Sequence, residues 1–152
     1  MQYVNNAAFA IRTIRIYNQM KSTYASYSHT LAAGTLLNAL SVIFPDRGVF
    51  LFDDQNIQDK PFPHLLDRSA ENTREYLRSI RNGLSHKTRL NFRDIYCADS
   101  HQILMLNIAS NQNLPGVQFT DLELAAVIKI INKALSDQFP DLYNQEYETQ
   151  MP

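Results

Sequence analysis

The chain has 152 residues and a formal net charge of −1, from 14 basic and 15 acidic side chains. That length suits one domain around one core. The charge balance excludes nucleic-acid binding through overall charge, so any attraction for a polyanion has to be local. A lone cysteine, Cys97, excludes an intramolecular disulfide and a cysteine-based zinc site, and the four scattered histidines spell out no metal cage.

The start, "MQYVNN", lacks the basic and apolar regions of a secretory signal. The longest apolar stretch, Leu31 to Phe44, is too short for a bilayer and contains Asn38. A soluble cytoplasmic protein with no membrane partner is therefore expected. Residues 3 to 44 contain no proline. Val4, Ala7, Ile11 and Ile14 recur at helical spacing, and Tyr17, Met20, Tyr24, Tyr27 and Leu31 continue the stripe to Ala33, Leu37, Leu40 and Phe44. One helix over that length would be roughly 60 Å long, more than such a domain accommodates. Two helices are expected, broken within Lys21 to Ser28, where serines and a threonine compete for backbone hydrogen bonds. The tyrosines read as core or dimer interface.

Pro45 ends the second helix. Residues 45 to 63 read as an irregular connection with a short strand at "GVFLF". Asp53, Asp54 and Asp59 within it lack an ordered ligand spacing and read as a solvated loop. Leu66, Ala70, Thr73, Leu77, Ile80 and Leu84 then form a narrow seam on a central helix running from about His64 to the mid-80s. Asn91 to Ala109 reads as a β-hairpin turning at Ala98-Asp99-Ser100, and "SNQNLPG" as a loop. The final helix is announced by a capping box, Thr120 with Glu123, and a hydrophobic staple, Phe119 with Leu124. Leu124, Ile128, Ile131 and Leu135 give it an apolar face. Pro140 follows its end. One helical domain over 1–139 and a mobile acidic tail over 140–152 are expected.

The stretch "RNGLSH", Arg81 to His86, lies near the end of the central helix. Gly83 costs about 1 kcal/mol relative to alanine there. Between Thr73 and Arg93 stand six basic residues, Arg74, Arg78, Arg81, Lys87, Arg89 and Arg93, against one acid, Glu75. Two readings compete. One is a solvated face whose arginines serve helix propensity. The other is a phosphate-handling site: arginine offers a planar, permanently charged fork, histidine titrates near neutrality, and asparagine orients by hydrogen bonding. Gly83 would let another backbone or a nucleic-acid strand come close. His29, His64 and His101 read as surface or partly buried residues, and Cys97 as a small core residue within a strand.

Arg81, followed directly by Asn82, with His86 after four intervening positions, resembles the signature of the HEPN superfamily (higher eukaryotes and prokaryotes nucleotide-binding domains). In that signature a polar residue follows the arginine and a histidine closes the motif. Only these six residues carry a specific match. The resemblance implies an all-α, HEPN-like bundle of four to five helices, here with a small β-hairpin between the motif helix and the last helix. It further implies a metal-independent endoribonuclease, without cofactor, acting as a homodimer with a composite active site, in the manner of a toxin–antitoxin or phage-defence effector. Carried onto this chain, His86 is the general acid/base, Arg81 stabilises charge on the phosphoryl oxygens, and Asn82 positions His86 or the phosphate. Arg74, Arg78, Lys87 and Arg89 would bind RNA. An antitoxin or other regulatory partner is implied as well. Thr88 stands where some toxin members carry a tyrosine that a nucleotidyltransferase antitoxin modifies, so that control does not carry over. Other members keep the fold as non-catalytic dimerisation modules binding a nucleotide or a protein.

Overall fold

Helix α1 (Asn6–Met20) begins where Asn5 accepts the Ala8 backbone N–H on its side-chain oxygen at 2.9 Å, satisfying a donor the helix leaves open. The structure is a computed structural model and describes residues 5–44, 50–58, 60–65, 70–85, 90–91, 96–97, 102–103, 105–108 and 117–148. Within them the chain is mostly helical.

The expected break is present. Helix α1 ends at Met20, a turn and a short 3-10 segment (Ala25–Tyr27) follow, and α2 (Ser28–Ile43) starts again. The break resets the helical phase, so the tyrosine stripe divides. Tyr17 is buried, whereas Tyr24 and Tyr27 are 45% and 63% exposed. Helix α2 is the central element. It packs on α1, and Ala32, Leu36, Ala39, Leu40 and Ile43 are buried along its length. Each such leucine or isoleucine contributes about 1.5–3 kcal/mol by leaving water. His29 is fully buried here, against the expectation of a surface or partly buried residue.

After α2 the described connection forms no strand. Phe50 to Phe52 bends instead, as Phe44 stacks on Phe50 (4.5 Å between centroids) and Phe52 meets Phe50 edge-on. The short helix α3 (Asp54–Ile57) buries Ile57. Two side chains near the end of the last long helix pin this segment. Gln138 donates to the Leu51 carbonyl and accepts from the Asp53 N–H, both at 2.6 Å, and Asp137 binds Lys60 at 2.9 Å.

Helix α4 is described over Ala70–Ser85, and the expected start at about His64 is not helical. His64 has φ of 62°, in the left-handed region, which excludes it from a right-handed helix. The seam itself holds: Thr73, Leu77, Ile80 and Leu84 are buried against α2 and its neighbours, while Leu66 lies outside the described residues.

The expected hairpin is the inner part of a larger β unit. Strands β2 (Tyr96–Cys97) and β3 (Gln102–Ile103) pair antiparallel, with Tyr96 opposite Ile103; the expected turn residues lie outside the described ones. Strands β1 (Leu90–Asn91) and β4 (Met105–Ile108) also pair antiparallel, and β5 (Val117–Thr120) adds to β4 with Met105 opposite Thr120. The sheet order is β1-β4-β5. The sequence announces Val117–Thr120 only as the approach to a helix. Thr120 is both strand end and N-cap, because an N-cap keeps extended dihedrals, here φ −75° and ψ 164°.

Helix α5 (Asp121–Gln138) carries the expected capping box: Thr120 Oγ1 accepts the Glu123 N–H and Glu123 Oε1 accepts the Thr120 N–H, each at 3.1 Å. Phe119, Leu124, Ile128, Ile131 and Leu135 are all buried. Within the stretch 140–152, expected to be a mobile tail, Pro140–Glu148 form helix α6, and residues 149–152 lie outside the described ones. Proline at the first helical position begins a helix as readily as it ends one, since its missing N–H has no partner there anyway. Glu146 anchors α6 to α1. Both its carboxylate oxygens accept from the Arg12 guanidinium, one at 2.9 Å, and its carbonyl accepts from Arg15.

Candidate functional site

The seam of α4 turns inward, which leaves Arg74, Arg78, Arg81, Asn82 and Ser85 on the flank or outside. Arg81 and Asn82 are half-buried, and Ser85 is exposed. Arg81 Nη1 donates to Asn82 Oδ1 at 3.1 Å, so the two motif residues that are described form a pair. The Ser85 hydroxyl donates to the Arg81 carbonyl at 2.8 Å, one turn back. This is the back-bonding open to a helical serine, whose hydroxyl shares the i−4 carbonyl with the helix's own N–H. His86, Lys87 and Arg89 lie outside the described residues.

Gly83 does not break the helix, which continues to Ser85, and it is buried within the single chain. Its backbone is therefore not displayed to a second molecule. Among the described residues of the motif, Arg81, Asn82 and Ser85 reach the surface.

Arg74 and Arg78, expected from sequence to contact RNA, have intramolecular partners. The Arg74 guanidinium lies 4.9 Å from the Phe50 ring centroid, and that of Arg78 lies 5.7 Å from Phe44. Arg78 also pairs with Glu75 at 3.2 Å. These contacts hold the two arginines over the aromatic cluster beside α4. Arg78 remains exposed, and its guanidinium edge retains donors for a phosphate.

A second polar cluster is not legible from sequence spacing. His64 pairs with the outer oxygen of Glu123 and sets its ring edge-on to Phe119 at 5.1 Å. The Tyr76 hydroxyl donates to the Pro63 carbonyl. Burial, then the Glu123 charge, raises the Tyr76 hydroxyl above its ordinary value, so it stays a donor. Partial burial pushes the Glu123 carboxyl up, but the Thr120 N–H, the His64 imidazole and the Thr120 hydroxyl outweigh it, and the group ionises below its ordinary range. This cluster ties the segment before α4 to the start of α5. Among the described residues, no three His, Cys, Asp or Glu side chains gather as a metal site, and no helix is long and apolar enough to cross a membrane.

Compared with protein-family models, with curated proteins and with solved structures, the chain finds no match.

Proposed function

We propose that the protein is a metal-independent endoribonuclease of the HEPN type. The observation that carries this is the Arg81–Asn82 pair on the outward flank of α4's last turns, with His86 four positions after Asn82. Arg78, exposed less than one turn before Arg81, extends the positive edge. In this mechanism His86 takes the proton of a ribose 2′-hydroxyl. The 2′-oxygen forms a bond to the adjacent phosphorus and the bond from phosphorus to the 5′-oxygen breaks. A proton is returned to that 5′-oxygen, which leaves a 2′,3′-cyclic phosphate and a 5′-hydroxyl. Arg81 offsets the charge that builds on the phosphoryl oxygens, and Asn82 fixes the guanidinium. DNA is not cut, because it lacks the nucleophile.

Arg81 and His86 are about 140° apart on a regular helix, so one helix poorly aims both at one phosphate. Two copies meeting along the Arg81–Asn82–Ser85 flank would pool their arginines and histidines, with one His86 as base and the other as acid. A toxin or phage-defence role, with an antitoxin or other regulatory partner, follows from the same resemblance. The second reading is a non-catalytic helical dimerisation module that binds a nucleotide or a protein partner. The stacking of Arg74 and Arg78 on Phe50 and Phe44 favours it, since it gives those arginines an architectural use. Incubation of single-stranded RNA with the purified chain and excess chelator separates the two. The nuclease cuts, its products carry cyclic-phosphate ends, and His86→Ala stops it. No cutting, or cutting that requires a divalent ion, defeats the mechanism.

A further inference from the structure

A groove of about 470 Å³ opens between the C-terminal end of α1 and the outer face of α5. Its volume is that of a small-molecule site rather than a surface dimple. Lys21 stands on one wall and Lys129 on the other. Among the described lysines and arginines, these two engage no carboxylate, carbonyl, amide or ring through their side chains. Arg12 and Arg15 are held by Glu146, Lys60 and Lys133 by Asp137, Arg74 and Arg78 by phenylalanine rings, and Arg81 by Asn82. Two unneutralised ammonium groups facing one cavity favour an anion between them.

The rest of the groove narrows the class of anion. Ala125 and Ala126 line the α5 wall with apolar surface, backed by buried Ile128, with Leu122 exposed at its end. Asn18 and Asn132 supply amides from the two walls. Asn132 already donates to the Tyr143 hydroxyl at 2.9 Å, which leaves its carbonyl oxygen as an acceptor for a base amino group. Beyond Lys21 come Tyr24 and Tyr27, both exposed. Ser28 donates to Asp121 at 3.1 Å, so this aromatic turn sits beside the start of α5 and the Leu122 end of the groove. Exposed aromatic rings next to a cationic groove form the usual platform for stacked bases of a single strand. The nearby Asp121 carboxylate accepts from the Ser28 hydroxyl and the Leu122 N–H. Burial, then the Asp121 charge, raises the Tyr17 hydroxyl in the groove wall, so the two ammonium groups are opposed by one carboxylate.

We propose that this groove grips single-stranded RNA, with Lys21 and Lys129 on phosphate oxygens and a base on the Ala125–Ala126 surface, as a contact site separate from the α4 motif. It rests on the reading of the protein as one that acts on RNA. The test is fluorescence anisotropy of a labelled single-stranded oligoribonucleotide with the full chain carrying His86→Ala, so that the RNA stays whole, in chelator over a salt series. Replacing Lys21 and Lys129 together by alanine should weaken binding roughly ten-fold or more. It should also reduce the slope of log affinity against log salt by about 1.4, at about 0.7 per lost phosphate contact on a single strand. Unchanged affinity and slope would overturn the proposal. Adenosine monophosphate binding as tightly as the oligomer, with the same lysine dependence, would mark a free-nucleotide pocket and overturn it as well. So would polyglutamate competing equally at matched charge, which would mark a site for an acidic protein. Lysine-dependent binding by a wild-type chain that cuts nothing would end the nuclease reading and leave the groove standing. Cutting with lysine-independent binding would do the reverse.

Discussion

Two basic regions of this molecule differ in what their charges are doing. Along α4 the arginines are dense in sequence, yet each described one has an intramolecular partner: Arg74 and Arg78 on phenylalanine rings and Arg81 on Asn82. Along α1 and α5 the lysines are sparse, and Lys21 and Lys129 face one groove with no partner among the described residues. Basic density along a chain therefore measures potential, while free charge is decided by what folds against it. A guanidinium can stack through its face and still bind through its edge, so the α4 arginines can be both architectural and functional. An ammonium without a neighbour has only solvent or a ligand to serve.

The largest effect that would test this contrast is at Arg81. If its guanidinium meets the phosphoryl oxygens as charge builds there, Arg81→Ala should lower the cleavage rate on the order of 10² to 10³-fold, with helical content kept. Arg81→Lys should restore little, because a point charge does not reproduce the fork that spans Asn82 and a phosphate. Full activity in Arg81→Ala would reduce the α4 arginines to packing alone.

Next in size is the pair that shows what a wholly structural cation looks like. Glu146 is 6% exposed and takes both Arg12 and Arg15. Glu146→Ala leaves Arg12 half-buried without its counter-charge and should cost about 3 kcal/mol in urea unfolding. Helix α6 should release first, seen as early hydrogen exchange at Tyr143 and its neighbours. A loss below about 1 kcal/mol would mean that the pair behaves like an exposed one.

The same residues show which features local sequence carries. Spacing reveals α1, α2, α5 and the α4 seam, because a single buried stripe records the 3.6-residue period directly, as in Leu77, Ile80 and Leu84. The Thr120–Glu123 box is legible because both halves of its bonding lie within one turn. Helix α6 is hidden because Pro140 fits a stop and a start equally well, and because the Arg12–Glu146 contact spans most of the chain. Strand β5 is hidden because Val117–Thr120 runs straight into the α5 cap, so it reads as the approach to a helix. Of the candidate site, the Arg81–Asn82 pair is visible as neighbouring residues. The groove is not, since Lys21 and Lys129 belong to separate parts of the chain that only the fold brings face to face.

A smaller effect is expected at the cap of α5, the helix that carries Lys129. Thr120→Ala should cost about 1 kcal/mol. The Glu123 carboxyl ionises below its ordinary range in the fold, so its contribution is present above the ordinary value of 4.5 and fades as pH falls through the lowered one. Glu123→Gln should therefore flatten the acid side of a stability–pH curve below about pH 4.5. An unchanged acid side would remove Glu123 from the groups that hold α5 at low pH.

The smallest effects set the two regions against each other directly. Arg78 stacks on Phe44 and pairs with Glu75 while remaining exposed. Such a stack is worth roughly 0.5–1 kcal/mol, and the exposed ion pair adds little. Arg78→Ala should therefore lower stability by that amount. Lys129 touches no partner among the described residues, so Lys129→Ala should stay within about 0.5 kcal/mol of wild type. In RNA binding, each variant should flatten the salt slope by about one phosphate contact. Paired urea titrations and salt-dependent binding on these two single variants would separate a charge that the fold uses from one that it leaves free. If Arg78→Ala proved neutral in stability and Lys129→Ala costly, the two regions would have exchanged roles.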